Sequence, residues 1–228
     1  RVLRIPTITD RVIQRAVMQQ LQPIFNPRFL DCSFGYRPGL GVKDAVRFIT
    51  KLRRKGYIYV LDADIDDFFN QIDHALMREF LREDLLDYSL MRLIDLWLDS
   101  WQISPDAARG IAMGSPLSPL LSNIYLHRLD LHLLDRGCQL ARFADDFIVL
   151  SRSAHEWKAS YQQTENTLAT LKLKYEPRKT QLTTFAAGFE FLGVHFEETW
   201  YWYTWEDKRI EVHDDHKDPF IDDYTYFY

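Results

Sequence analysis

Four carboxylates fall in two acidic clusters, each beside an apolar run. Asp145 and Asp146 follow Phe143-Ala144 and stand between Gln139-Leu-Ala-Arg142 and Phe147-Ile-Val-Leu150. Some 80 residues earlier, Asp62 and Asp64 close the run that contains Val60-Leu61. Runs of this kind read as buried strands, so the first pair sits at a hairpin tip and the second at a strand end. Acidic side chains gathered at strand ends from distant segments suit two hard divalent cations. The chemistry they point to is phosphoryl transfer on nucleotides. Each cluster alone has a plainer reading: Asp is common in turns because it caps its own backbone, and Asp64 fits a strand end or a helix cap. Against that, adjacent carboxylates between buried strands repel one another unless cations or bases lie near, and such costs gather at functional sites. Asp62, on the same strand face as Asp64, reads as a structural or supporting carboxylate. Asp66 and Asp67 read as solvent-facing.

The segment Gly110-Ile-Ala-Met-Gly114-Ser-Pro-Leu-Ser-Pro-Leu-Leu-Ser-Asn123 joins two glycines to a Pro-started apolar helix. Such a turn lets backbone approach a ligand closely, although an ordinary helix start would look the same. The basic run Lys51, Arg53, Arg54, Lys55 reads first as a solvated helix end. None of the seven histidines is assigned to a metal. Cys32 and Cys138 have neither metal nor redox spacing, so a reducing cytoplasm is the expected compartment.

The elements that must position these residues follow from periodicity. A helix is expected over 9–25, capped by Thr9 or Asp10, with Val12, Ile13, Ala16, Val17 and Leu21 on one face. A Pro/Gly/aromatic loop covers 26–41. A second helix spans 42–55, with Val42, Ala45, Val46, Ile49 and Leu52 inward and Gly56 ending it. A strand follows at 57–65, then two or three helices over 73–104 with Pro105 as a stop. A helix at 117–136 ends at Gly137, and a hairpin spans 139–151. Ser153-Ala-His-Glu156 starts a helix over 154–171. Strands are expected at 173–185 and 188–196, and a hairpin pairs Trp200–Thr204 with Arg209–His213 through Glu206–Lys208. The order predicts an α+β fold with a mostly antiparallel sheet backed by helices.

With 228 residues, 46% apolar and 14% aromatic, the chain has material for a sizeable core. No apolar run approaches a membrane span, so no membrane partner is expected. Residues 197–228 hold ten acidic and three basic residues, a balance of −7, while the other 196 carry 23 acidic and 25 basic, +2. A slightly basic body permits nucleic-acid binding without demanding it.

Taken in order, eight segments carry a resemblance. They are Arg1-x-Leu-x-Ile-Pro6 followed by Asp10-Arg-Val-Ile-Gln14; Ser33-Phe-Gly-Tyr-Arg-Pro-Gly39; Asp64-Ile-x-x-Phe-Phe-x-x-Ile-Asp-His74; Gly114-Ser-Pro-Leu-Ser-Pro through Leu126; Phe143-Ala-Asp-Asp146; Arg178-Lys-Thr180; and Phe191-Leu-Gly193. Over about 1–196 the chain resembles bacterial reverse transcriptases of the group II intron type. The resemblance implies a right-hand polymerase fold: partial fingers at 1–55, palm at 56–74, a helical insertion at 75–109, palm again at 110–196, and an acidic aromatic tail or linker at 197–228. It implies RNA-templated DNA synthesis with two Mg²⁺ ions, Mn²⁺ being a substitute. Asp64, Asp145 and Asp146 would be catalytic, holding the metals with the backbone of Ile65. Arg1, Ile65, Phe69, Met113, Gly114 and Lys179 would meet the nucleotide, with Phe69 excluding a ribose 2′-hydroxyl. Phe191, Leu192 and Gly193 would grip the primer end, and Tyr36 and Arg37 would line the template path. Partners would be an RNA template, a DNA or RNA primer and dNTPs.

Two departures from the pattern stand out. Met113 replaces the usual Gln before Gly114 and has no donor to offer a nucleotide sugar; altered nucleotide discrimination is the expectation. Phe143 stands where Tyr is commoner, with a small effect expected. The chain is read as a fragment lacking a basic N-terminal extension and a helical thumb. The Ile111-Ala-Met-Gly-Ser-Pro variant and the short end after Phe196 resemble the reverse transcriptases that accompany CRISPR adaptation genes, which implies an adaptation integrase, fused or separate, as a partner. The alternative within the same enzyme class is an intron or other retroelement reverse transcriptase; from other classes come an RNA-templated RNA polymerase and a non-catalytic RNA-binding scaffold.

Overall fold

A computed structural model describes residues 6–102, 107–205 and 207–213. The chain opens on α1 (Ile8–Phe25), capped by Thr7, whose hydroxyl accepts from the Asp10 amide. The expected cap was Thr9 or Asp10, and the expected inward face is also rotated. Gln14, Val17, Met18, Leu21 and Phe25 are buried, while Val12 and Ile13 face solvent. The stripe moves because Gln14 goes inward to a buried partner, which no apolar count anticipates.

Helix α2 (Val42–Arg54) buries Ala45, Val46, Ile49 and Leu52 as expected, whereas Val42, expected inward, is exposed in the first turn; the helix stops before Gly56, whose φ of 88° suits glycine. Strand β1 (Tyr59–Ala63) leads to the short helix α3 (Phe68–Gln71), then α4 (His74–Arg82) and α5 (Tyr88–Ser100). Pro105, the expected stop, lies outside the described residues. Helix α6 (Ser118–Asp135) ends at Gly137 and is buried on nearly every side, which explains its weak amphipathicity. The hairpin β2 (Gln139–Phe143) and β3 (Asp146–Ser151) follows, then α7 (Ala154–Thr170), whose Ser153 cap accepts from the Glu156 amide.

Strands β2-β3-β1-β4, with β4 at Gln181–Thr184, form one antiparallel sheet. The strand expected from 173 is shorter: residues before 181 form a loop tied back to β1, with one bridge between Ile65 and Tyr175. A second antiparallel sheet holds β5 (Phe189–Phe191), β6 (Val194–Glu197), β7 (Trp200–Trp205) and β8 (Lys208–His213). Its outer hairpin has the anticipated register, Trp200 with His213 and Thr204 with Arg209; Glu206 lies outside the described residues. The boundary expected at 196/197 falls inside β6, so the segment to His213 continues the fold as sheet, while the rest of the expected tail or linker lies outside the described residues.

β1 is buried on both faces because two cores meet on it. Leu61 and Ala63 face a large core with α1 and α4 to α6, while Val60 faces a smaller one built from α2 and the second sheet. Asp62 and Asp64 continue the Val60 face along the strand.

Candidate active site

The hairpin register pairs Phe143 with Asp146, so Ala144-Asp145 is a two-residue turn, and Ala144 takes a φ of 60°. Across the sheet, Ala63 pairs with Phe147. One residue further on each strand brings Asp64 opposite Asp146. Antiparallel pairing thus assembles the two clusters that sequence spacing only suggested. Asp146 shows the crowding: burial and the charges of Asp62, Asp64 and Asp145 push its carboxyl up to about 7. Asp62 is also raised, first by burial, although Gln181 Nε2 donates to it at 3.0 Å.

Countercharge comes from Lys179, whose Nζ lies 2.5 Å from Asp64 Oδ2. The loop carrying Lys179 is fixed by backbone bonds, Glu176 N donating to Asp64 O and Lys179 N to Glu176 O. With Asp64 turned to the ammonium, no three carboxylate, imidazole or thiol groups among the described residues converge as a finished metal cage. The donor set still suits a hard divalent ion: carboxylate oxygens at adjoining strand ends, short of positive charge. Asp64, Asp145 and Asp146 are the residues that would hold one if their side chains turned together, with Asp62 behind them.

Ile65 is buried and bridges Tyr175. Phe69 packs on Phe68 at 5.6 Å, and its carbonyl accepts from Ile111 N at 2.8 Å, which joins it to the glycine turn. In that turn Met113 is half-buried, and Gly114 is exposed with a φ of 104°. Ser115 Oγ donates to Gln14 Oε1 at 2.9 Å inside the protein, which accounts for the buried Gln14. Tyr36 stands near the carboxylates: burial first, then the Asp145 charge, raises its phenol. Arg37 is used otherwise. Its guanidinium donates to Asn26 Oδ1, Asn26 O, Leu30 O and Ser33 O, so it organises its own loop. Leu192 and Gly193, with φ of 57° and 72°, form the tip between β5 and β6, while Phe191 is buried in the smaller core. Arg1 lies outside the described residues.

The sequence reading passed over one cluster. Arg142 is fully buried and donates to both Asp130 oxygens, at 2.7 and 2.6 Å, to Asn123 Oδ1, to Ser33 Oγ and to Ala144 O. An Arg inside an otherwise apolar strand is the signal that marked it.

Comparison with known proteins bears on the family and the fold. Residues 1–196 match the family described as "Reverse transcriptase (RNA-dependent DNA polymerase)". Protein YkfC of Escherichia coli K12 is 27% identical over 85% of this chain and 62% of its own length. The group II intron-encoded protein LtrA of Lactococcus lactis is 31% identical over 81% of this chain and 32% of its own. The chain therefore spans less than two thirds of either relative. Among solved structures, apo telomerase from Candida tropicalis superposes with a TM-score of 0.58 at 14% identity, over 83% of this chain and 43% of that one, a likeness of fold.

Proposed function

The chain belongs to the reverse transcriptase family, and from that premise we propose that it extends a DNA or RNA primer with dNTPs on an RNA template. The observation that carries the reading is the meeting of Asp64, Asp145 and Asp146 where β1 ends and β3 begins, with Asp146 raised by burial and by its carboxylate neighbours. Two bound Mg²⁺ ions would supply Lewis-acid activation of the primer hydroxyl and charge neutralisation at the phosphates. Asp64 and Asp145 would hold them, with Asp146 as a third carboxylate and the Ile65 backbone alongside. In the reaction the primer 3′-oxygen bonds to the α-phosphorus, the α–β phosphoanhydride breaks, and pyrophosphate leaves with the electron pair. Lys179, on a long exposed stem, exchanges its Asp64 contact for the leaving phosphates. Phe69 closes the space beside a 2′-hydroxyl. Met113 and Gly114 lie against the nucleotide, Tyr36 borders the template, and Phe191-Leu192-Gly193 supports the primer end; for Arg1 the family pattern alone suggests a role at the triphosphate.

The finer setting we propose is copying RNA into DNA during CRISPR spacer acquisition beside an adaptation integrase. It rests on the Ile111–Pro116 variant. The similarity to LtrA favours an intron or retroelement setting instead. The two are separated by whether the gene lies beside, and its product co-purifies with, an integrase.

The central test is primer extension on an RNA template by the full-length protein and its Asp145→Ala variant. Extension that vanishes in the variant supports the reading. Extension that survives refutes the site, and RNA binding without extension by either protein moves the function to a scaffold.

A further inference from the structure

We propose that Arg142 and Gly35 are positioning residues that set the Ala144-Asp145 turn; the inference rests on the catalytic reading of Asp145. A buried guanidinium is costly, and an apolar side chain would hold two strands together as well. What the ion provides is direction. All five of its N–H groups are used: Nε and one Nη2 hydrogen on Asp130, the other Nη2 hydrogen on Ser33 Oγ, and the Nη1 pair on Asn123 Oδ1 and Ala144 O at 2.9 Å. Ala144 O belongs to the peptide that enters Asp145. Arg142 therefore fixes the plane from which the Asp145 carboxylate projects, and Asp130 and Asn123 fix Arg142 from α6.

The second hold comes from the loop before α2. Residues 32–34 run beside β2, with Arg142 N donating to Cys32 O at 2.8 Å and Phe34 N to Arg142 O at 2.9 Å. The loop then crosses the turn at Gly35. A Cβ there would lie 2.4 Å from Ala144 N and 3.0 Å from Phe143 C, both backbone atoms. Asn123 Nδ2 donates to Gly35 O at 2.8 Å, so the same Asn steadies both the guanidinium and the loop. Tyr36, next along, is close enough for its phenol to feel the Asp145 charge. Ala144 is thus held at its carbonyl by Arg142, and its nitrogen is approached so closely by Gly35 that no side chain fits between them.

The test uses the full-length protein and the variants Gly35→Ala, Ser33→Ala and Arg142→Lys. Each is measured for kcat and dNTP KM in RNA-templated extension, and for amide exchange at 144–146 in the metal-free protein. Gly35→Ala is expected to lose about tenfold to a hundredfold in kcat, as small misplacements do, with KM nearly unchanged. Exchange at the turn should quicken while the β1–β3 amides keep wild-type protection. Ser33→Ala should move the same way by less, and Arg142→Lys, which keeps charge against Asp130 but not the fork, should not rescue. Wild-type kcat and turn exchange in folded Gly35→Ala and Ser33→Ala would overturn the inference. So would a kcat loss that only tracks the fraction of protein folded. Asp145→Ala separates the two levels: retained extension there removes the catalytic reading itself, whatever the turn does.

Discussion

Asp146 holds its proton up to about pH 7 in the folded protein, whereas an unfolded Asp releases it near about 3.9. Between those values the native state binds more protons, so stability falls as pH rises, and the loss is complete above the folded value. Asp146→Asn removes that loss. Without divalent metal the variant should melt higher than wild type at pH 8, the advantage shrinking to nothing as pH drops toward 4. Parallel melting curves at every pH would contradict the crowding of the carboxylates. Added Mg²⁺ should narrow the gap by neutralising the same charges. Met113 permits a second check. Restoring a donor with Met113→Gln should lower misincorporation on an RNA template, read from the error spectrum of the product, while primer-extension rate changes little. The carboxylates themselves were legible, because Asp residues between apolar runs break a local rule visibly. Arg142, Ser33 and Asn123 were not read as a group: their significance lies in a convergence from three segments that only the tertiary fold brings about.

Among the elements, helices with one buried face and glycine stops were readable, α2 and α7 closely so. α1 was not, since its inward side includes Gln14, whose partner Ser115 is 101 residues away. The strand expected over 173–185 begins only at 181, although Leu173 and Tyr175 are buried. Burial there comes from packing in the larger core, where Tyr175 stacks on Tyr161 of α7, and not from a ladder. The β5–β6 tip offers a check on local backbone. Gly193 has open space around a would-be Cβ but a φ of 72°, so Gly193→Ala should cost about 1 kcal/mol from conformation alone. Gly193→Asn should cost less, since Asn tolerates the left-handed region. Urea unfolding midpoints of the two variants settle the order.

At the level of the whole molecule, the two sheets share β1's surroundings and cannot be cut apart where the motifs end. Tyr201, Tyr203 and Val212 complete the core that holds Phe189, Phe191 and Phe196. Stopping the chain at 196 would expose those rings and leave β6 as a bare edge. Residues 1–196 alone are expected to aggregate or bind a hydrophobic dye, whereas residues 1–213 should unfold in one cooperative transition. A monomeric, cooperatively folding 1–196 would return the boundary to where the motifs put it. The hairpin of 200–213 is legible in the sequence, but the motifs stop at Gly193 and the segment's overall acidity masks that its Tyr and Val complete the core.

The loop beside β2 also carries a natural clock. Cys32 is buried, its thiol pushed strongly upward first by burial and then by the Asp130 charge, and its carbonyl is engaged by the Arg142 amide. Such a thiol should resist alkylation until the loop lifts, while half-buried Cys138 reacts at its own pace. Labelling kinetics at Cys32, followed by mass spectrometry with and without bound RNA, would time how often the loop leaves the Asp145 turn. No foreign probe would be needed.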